Sequence, residues 1–134
     1  MKSDSELVGS FKVGLDEDGI LILTFLHEEK DPEDNTRQSE LVLGELSKVF
    51  SGEAGKQFNL LVDLTPVESA NYVSDKSREL YLKAKMQDHL SKVAVVSSSI
   101  LLRVFVLFVA QATGKGDSVK WFETKDEALE WLKS

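Results

Sequence analysis

An α/β fold in the order ββαβαβαβα is what three features of this 134-residue chain predict. Residues 58–64 (FNLLVDL) and 92–96 (KVAVV) are apolar without a clean alternation, as in parallel strands covered on both faces. Segments with apolar residues at helical spacing alternate with these runs. Near the N-terminus, two short alternating stretches flank an acidic turn, the mark of a hairpin. Together they predict a single domain over residues 1–134, built on a mostly parallel five-stranded sheet with right-handed crossovers and an N-terminal antiparallel hairpin.

Each element has its own local reason. Residues 1–9 carry no ordering signal and are expected to be flexible. Residues 11–15 alternate, Asp16-Glu17-Asp18-Gly19 is a turn signal, and residues 20–25 form the second hairpin strand. Asp31 reads as an N-cap, Pro32 as the first helical residue, and Glu33 and Asp34 as first-turn acids. Leu41, Val42, Leu46, Val49 and Phe50 give that helix an apolar face, and it stops at Ser51-Gly52. After the strand at 58–64 and a loop around Pro66, a helix is expected over 74–89. Ser97-Ser98-Ser99 can cap a further helix over 100–113, ended by Gly114. Residues 118–122 form the closing strand, and Thr124 with Glu127 is a capping box for the last helix.

Composition bounds the function. A formal charge of -7, with no Lys/Arg block against it, repels nucleic acid and anionic bilayers alike. With no cysteine, disulfides, thiolate catalysis and Cys-zinc sites are excluded. The first ten residues lack the basic-then-apolar pattern of a signal peptide, so the cytoplasm is the simplest expected compartment.

No catalytic constellation emerges, and the chain is expected not to be an enzyme. His27 stands near Glu28, Glu29 and Asp31, but the spacing fits neither a calcium loop nor a His-x-x-x-His arrangement. These acids already have a reason to precede a helix N-terminus, so no metal and no cofactor are expected. His89, beside Asp88, reads as a charge partner at a helix end. The serines at 97–99 lack the glycines of a nucleophile elbow. Gly114-Lys115-Gly116 closes a helix instead of opening one, unlike a phosphate loop.

The last sixteen residues, VKWFETKDEALEWLKS, run from a strand through Phe122 into a capped helix with Ala128, Leu129 and Leu132 beside Trp131. This close resembles that of small bacterial STAS-like (SpoIIAA-like) proteins, relatives of the anti-sigma-factor antagonists whose fold approaches the CRAL-TRIO lipid-transfer domains. The order of elements extends the resemblance over nearly the whole chain. It implies a non-catalytic regulatory or protein-interaction module. In the antagonists a D-S-x-G phosphorylation motif opens the helix after the strand matching FNLLVDL. Here that loop reads TPVESANYVSD without the motif. The resemblance makes Ser74 the nearest positional match for a phosphoacceptor or anion site, and Ser69 a weaker one.

Residues 100–110 (ILLRVFVLFVA) are too short to span a bilayer, so no stable membrane insertion is expected. On a helical wheel Leu101, Val104, Phe105, Phe108 and Ala112 share one face. Ile100, Leu102, Val106 and Leu107 are apolar beyond that stripe, beside Arg103. The preceding helix has its own off-centre pair, Leu82 and Met86. Three explanations stay open for the surplus: cover by neighbouring elements, a self-associating face, or a lid over an apolar pocket. The leading expectation is a homodimer joined through the 100–113 helix, with a further regulatory protein as partner. The alternative is a carrier or sensor of a small apolar ligand, such as a fatty acid, held between the 74–89 and 100–113 helices.

Overall fold

The computed structural model describes residues 2–52, 55–67, 74–83, 89–97 and 118–134. Strands β1 (Phe11–Leu15), β2 (Leu21–Phe25), β3 (Phe58–Asp63), β4 (Leu90–Val96) and β5 (Val119–Phe122) form one sheet in sequence order. Only β1 and β2 run antiparallel, and the remaining neighbours are parallel. The hairpin turn explains its sequence. Asp16 Oδ1 accepts the N–H of Asp18 and of Ile20, both at 2.9 Å, and Gly19 takes a φ of 78° that only glycine adopts without strain.

Helices cover the two faces separately. Along β3 the side chains alternate, so Phe58 and Leu60 meet α2 (Pro32–Gly52) through Val42, Leu46 and Phe50. Leu61 points the other way, to Ala128 and Leu132 of the C-terminal helix, which spans Lys125–Lys133. Asp31 caps α2 as expected, its Oδ1 accepting from Glu33 N–H at 3.0 Å and Asp34 N–H at 3.1 Å. Thr124 caps the last helix, accepting from Glu127 N–H at 3.3 Å. The Glu127 carboxylate accepts the Thr124 hydroxyl, a variant of the reciprocal box.

Two features depart from the sequence expectation. Residues 2–9 are not a loose tail: Asp4–Val8 is a short helix, α1, capped by Ser3, and Leu7 is fully buried. Its order comes from residues far along the chain. Asp4 receives a two-pronged bond from Arg37 at 2.8 and 3.0 Å, Lys2 Nζ meets the buried Glu29 at 2.8 Å, and Lys2 N–H reaches Asp34. The other departure is at β4, which starts at Leu90, two residues before the expected Lys92. Pairing shifts there between Phe58↔Leu90 and Leu60↔Val93, a bulge that leaves the Lys92 N–H without a strand partner. Asn59 fills the gap: its Oδ1 accepts that N–H at 3.2 Å, and its Nδ2 donates to Leu132 O at 2.8 Å.

Candidate functional site

The chemistry gathers where α3 (Asp75–Lys83) starts against the N-terminal half of α2. Helix packing there is polar. Asn35, Ser39, Ser74 and Ser77 are all buried, and Ser77 has no exposure at all. Small side chains let hydroxyls and an amide replace the usual apolar seam, and every buried donor must then find an acceptor.

They find them. The Asn35 Nδ2 donates to Glu29 O at 3.0 Å, which turns Oδ1 toward α3. That oxygen accepts the Ser74 N–H at 3.0 Å and the Ser77 hydroxyl at 2.8 Å. Ser74 caps α3, its Oγ accepting the Ser77 N–H at 3.0 Å and lying 2.8 Å from Thr36 Oγ1. Ser39 completes the seam, its hydroxyl 2.9 Å from Ser77 Oγ and 3.1 Å from Asn35 O.

Beside this seam lies an open groove of about 420 Å³ lined by Thr36, Glu40, Lys76, Glu79, Leu80 and Lys83. Two carboxylates and two ammonium groups border a single leucine. Lys83 donates to Glu79 and holds that carboxyl below its usual range, the coulombic attraction adding to the hydrogen bond.

Of the sequence candidates, the structure places Ser74 and assigns its hydroxyl to capping. At 6% exposure it is closed to an enzyme unless the first turn of α3 lifts from α2. Ser69, Met86, Ile100, Leu102, Arg103, Val106, Leu107 and the side chain of Leu82 lie outside the described residues. Asn35 was not legible as a site residue, because a lone Asn inside a helix reads as solvated surface, and Ser77, which shares a face with Leu80, Tyr81 and Ala84 in the sequence, carried no sign of its polar partners. His27 is exposed. His89 sits in the turn before β4 with its ring stacked 4.6 Å from Phe50, and Asp88, beside which it reads as a charge partner at a helix end, lies outside the described residues. Among the described residues no group of three or more His, Cys, Asp or Glu could hold a metal ion, and no helix is long and apolar enough to cross a membrane.

The comparisons with known proteins agree with this architecture. The SpoIIAA-like family model matches residues 22–133, from β2 through the C-terminal helix. The chain belongs to the SpoIIAA-like family. A solved structure, that of an uncharacterized DUF3478-family protein from Shewanella loihica PV-4 with a SpoIIAA-like fold, superimposes with a TM-score of 0.64. The two are 19% identical, and the match covers 91% of each chain. No curated protein matches the chain in sequence. The SpoIIAA-like match starts after α1 and β1, so Lys2 and Asp4 lie outside the matched span while their partners Glu29, Asp34 and Arg37 lie within it.

Proposed function

We propose that this SpoIIAA-like protein is a non-catalytic regulatory module that acts by binding another protein through its α2–α3 face. The observation that carries the reading is the groove beside the polar seam. It is open, and charges of both signs outnumber its single apolar side chain. Mixed charge around one leucine suits the polar rim and small core of a protein interface. A seam made of hydrogen bonds also gives α3 a way to shift on α2, since such bonds can be exchanged at Ser74 and Ser77.

Self-association belongs to the same reading, and the sequence pattern offers the apolar face of residues 100–113 as one surface for it. So does Ser74 as the acceptor wherever phosphate is the signal, with negative charge favoured at the start of α3. The second reading, a carrier of a small apolar ligand, rests on the surplus apolar residues Ile100, Leu102, Val106 and Leu107.

A photo-crosslinking residue tests the face directly. Placed at Glu79 in the native host, it should yield one discrete heavier species. The same residue at Lys48, on the exposed side of α2 away from the groove, should yield none. Equal labelling at both positions overturns the assignment.

A further inference from the structure

We propose that β1 is a self-complementary edge through which two copies of this chain join their sheets, antiparallel and centred on Val13. β1 ends the strand order, and no described strand lies beyond it. The phase of its hydrogen bonding decides which groups are free. Leu26 N–H donates to Ser10 O, and Asp16 N–H donates to Ile20 O. Hydrogen-bonded pairs recur at every second residue of an antiparallel ladder, so Ser10, Lys12, Gly14 and Asp16 turn their backbone toward β2. Phe11, Val13 and Leu15 therefore turn N–H and C=O outward.

A two-fold axis at Val13 satisfies all of these groups at once. Val13 faces Val13 of the second copy, Phe11 faces Leu15, and Leu15 faces Phe11, each as a pair that exchanges both bonds. Side chains fit the same register. Leu15 is one of the two large apolar residues most exposed among the described residues, at 48%, and the pairing sets it beside Phe11 of the second copy. Lys12 faces Gly14 of the second copy, with the acidic turn Asp16-Glu17-Asp18 next along that strand. A register centred on Lys12 would instead set two lysines opposite each other, which is unfavourable. An exposed edge with free backbone groups templates pairing, and here the most compatible strand is β1 itself.

The inference rests on the proposed function for the purpose of the dimer, but not for its geometry. The test uses the whole chain, which has no cysteine of its own. Light scattering should give twice the 14.9 kDa of one chain. Val13→Cys should oxidise to a covalent dimer, because opposed residues of a bonded pair stand about 5.5 Å apart at Cα, within disulfide reach. Leu15→Cys should not, being offset from its own copy by four residues along the strand. Leu15→Lys, at an exposed position, should give a folded monomer. Val13→Pro removes the outward N–H, along with a valine side chain partly packed on the core, and should do the same at some cost in stability. A monomeric parent overturns the proposal. So does a dimer that survives Leu15→Lys and fails to cross-link at residue 13. If that dimer separates with Leu107→Glu, the 100–113 face joins the copies, and the proposed function stands without the β1 edge.

Discussion

Asn35 and Ser74 join α2 to α3 through one bond of 3.0 Å, from the Ser74 backbone N–H to the Asn35 side-chain oxygen. The same oxygen takes the Ser77 hydroxyl, so one amide makes two of the bonds that hold the first turn of α3 to α2, beside those of the Thr36 and Ser39 hydroxyls. Replacing Asn35 with Ala leaves the buried Ser74 N–H without its acceptor and Glu29 O without its donor, while the Ser77 hydroxyl keeps the Asn35 backbone oxygen at 3.1 Å. Each such loss costs about 1–3 kcal/mol. Hydrogen exchange should show the amides of α3 opening more readily in Asn35→Ala while those of β3 keep their protection. Unchanged exchange in α3 would show that the seam does not hold the helix.

Ser74 carries the next expectation. Ser74→Ala removes the cap and the contact with Thr36, at a cost of about 0.5–2 kcal/mol for the cap alone. Ser74→Asp keeps a capping oxygen but forces a negative charge toward the Asn35 oxygen, and should shift α3 and change partner binding. Intact-mass analysis of protein from its native host, with fragment mapping, checks the phosphate itself. A stoichiometric phosphate on Ser69 would move the switch to a residue N-terminal to α3.

How much of this was legible follows from where the forces act. β1, β2, α2, β3 and the closing strand and helix were readable because their signals are local: alternation, Asp31 and Thr124 as caps, and Gly19 in a turn. α1 was not. Its five residues are too few to be helical alone, and they are ordered by Arg37, Glu29 and Asp34, which no local window contains. The start of β4 was hidden for a similar reason, since the bulge is repaired by Asn59 from a neighbouring strand. Ser74 was found through its place before a helix. Asn35 and Ser39 were missed because burial of a polar helix face is decided by the partner helix, and Ser77, on one face with Leu80, Tyr81 and Ala84 in the sequence, carried no sign of the hydroxyls and amide it meets.

Leu7 and Val8 separate the N-terminal clamp from a passive tail. Leu7 is fully buried and Val8 is 49% exposed. Leu7→Ala should lower stability by about 2–5 kcal/mol, as core truncations do. Val8→Ala should stay within about 0.5 kcal/mol. Urea unfolding of the two variants is the check, and equal midpoints would mean that α1 is no part of the cooperative unit.

Acid should release the same clamp. Arg37, by hydrogen bond first and charge second, holds the Asp4 carboxyl below its ordinary 3.8. A depressed carboxyl stabilises the fold fully above its unfolded value, and the contribution fades as pH falls through the lower folded value. Lys2 runs the other way. Its hydrogen bond to Glu29 raises it above 10.5, so its contribution is whole below that value and fades as pH rises through the folded one. The Leu7 methyl resonances should therefore stay native-like between these limits and shift toward random-coil positions in acid before the sheet unfolds. Asp4→Asn should remove the acid-side part of that response.

Native mass spectrometry of freshly purified protein tests the central claim, that this domain acts by binding protein and carries no apolar ligand. The account predicts a mass that is a whole multiple of the 14.9 kDa chain, with no small molecule retained. A stoichiometric adduct of fatty-acid mass, displaced by a fluorescent fatty acid, would contradict it and establish the carrier instead.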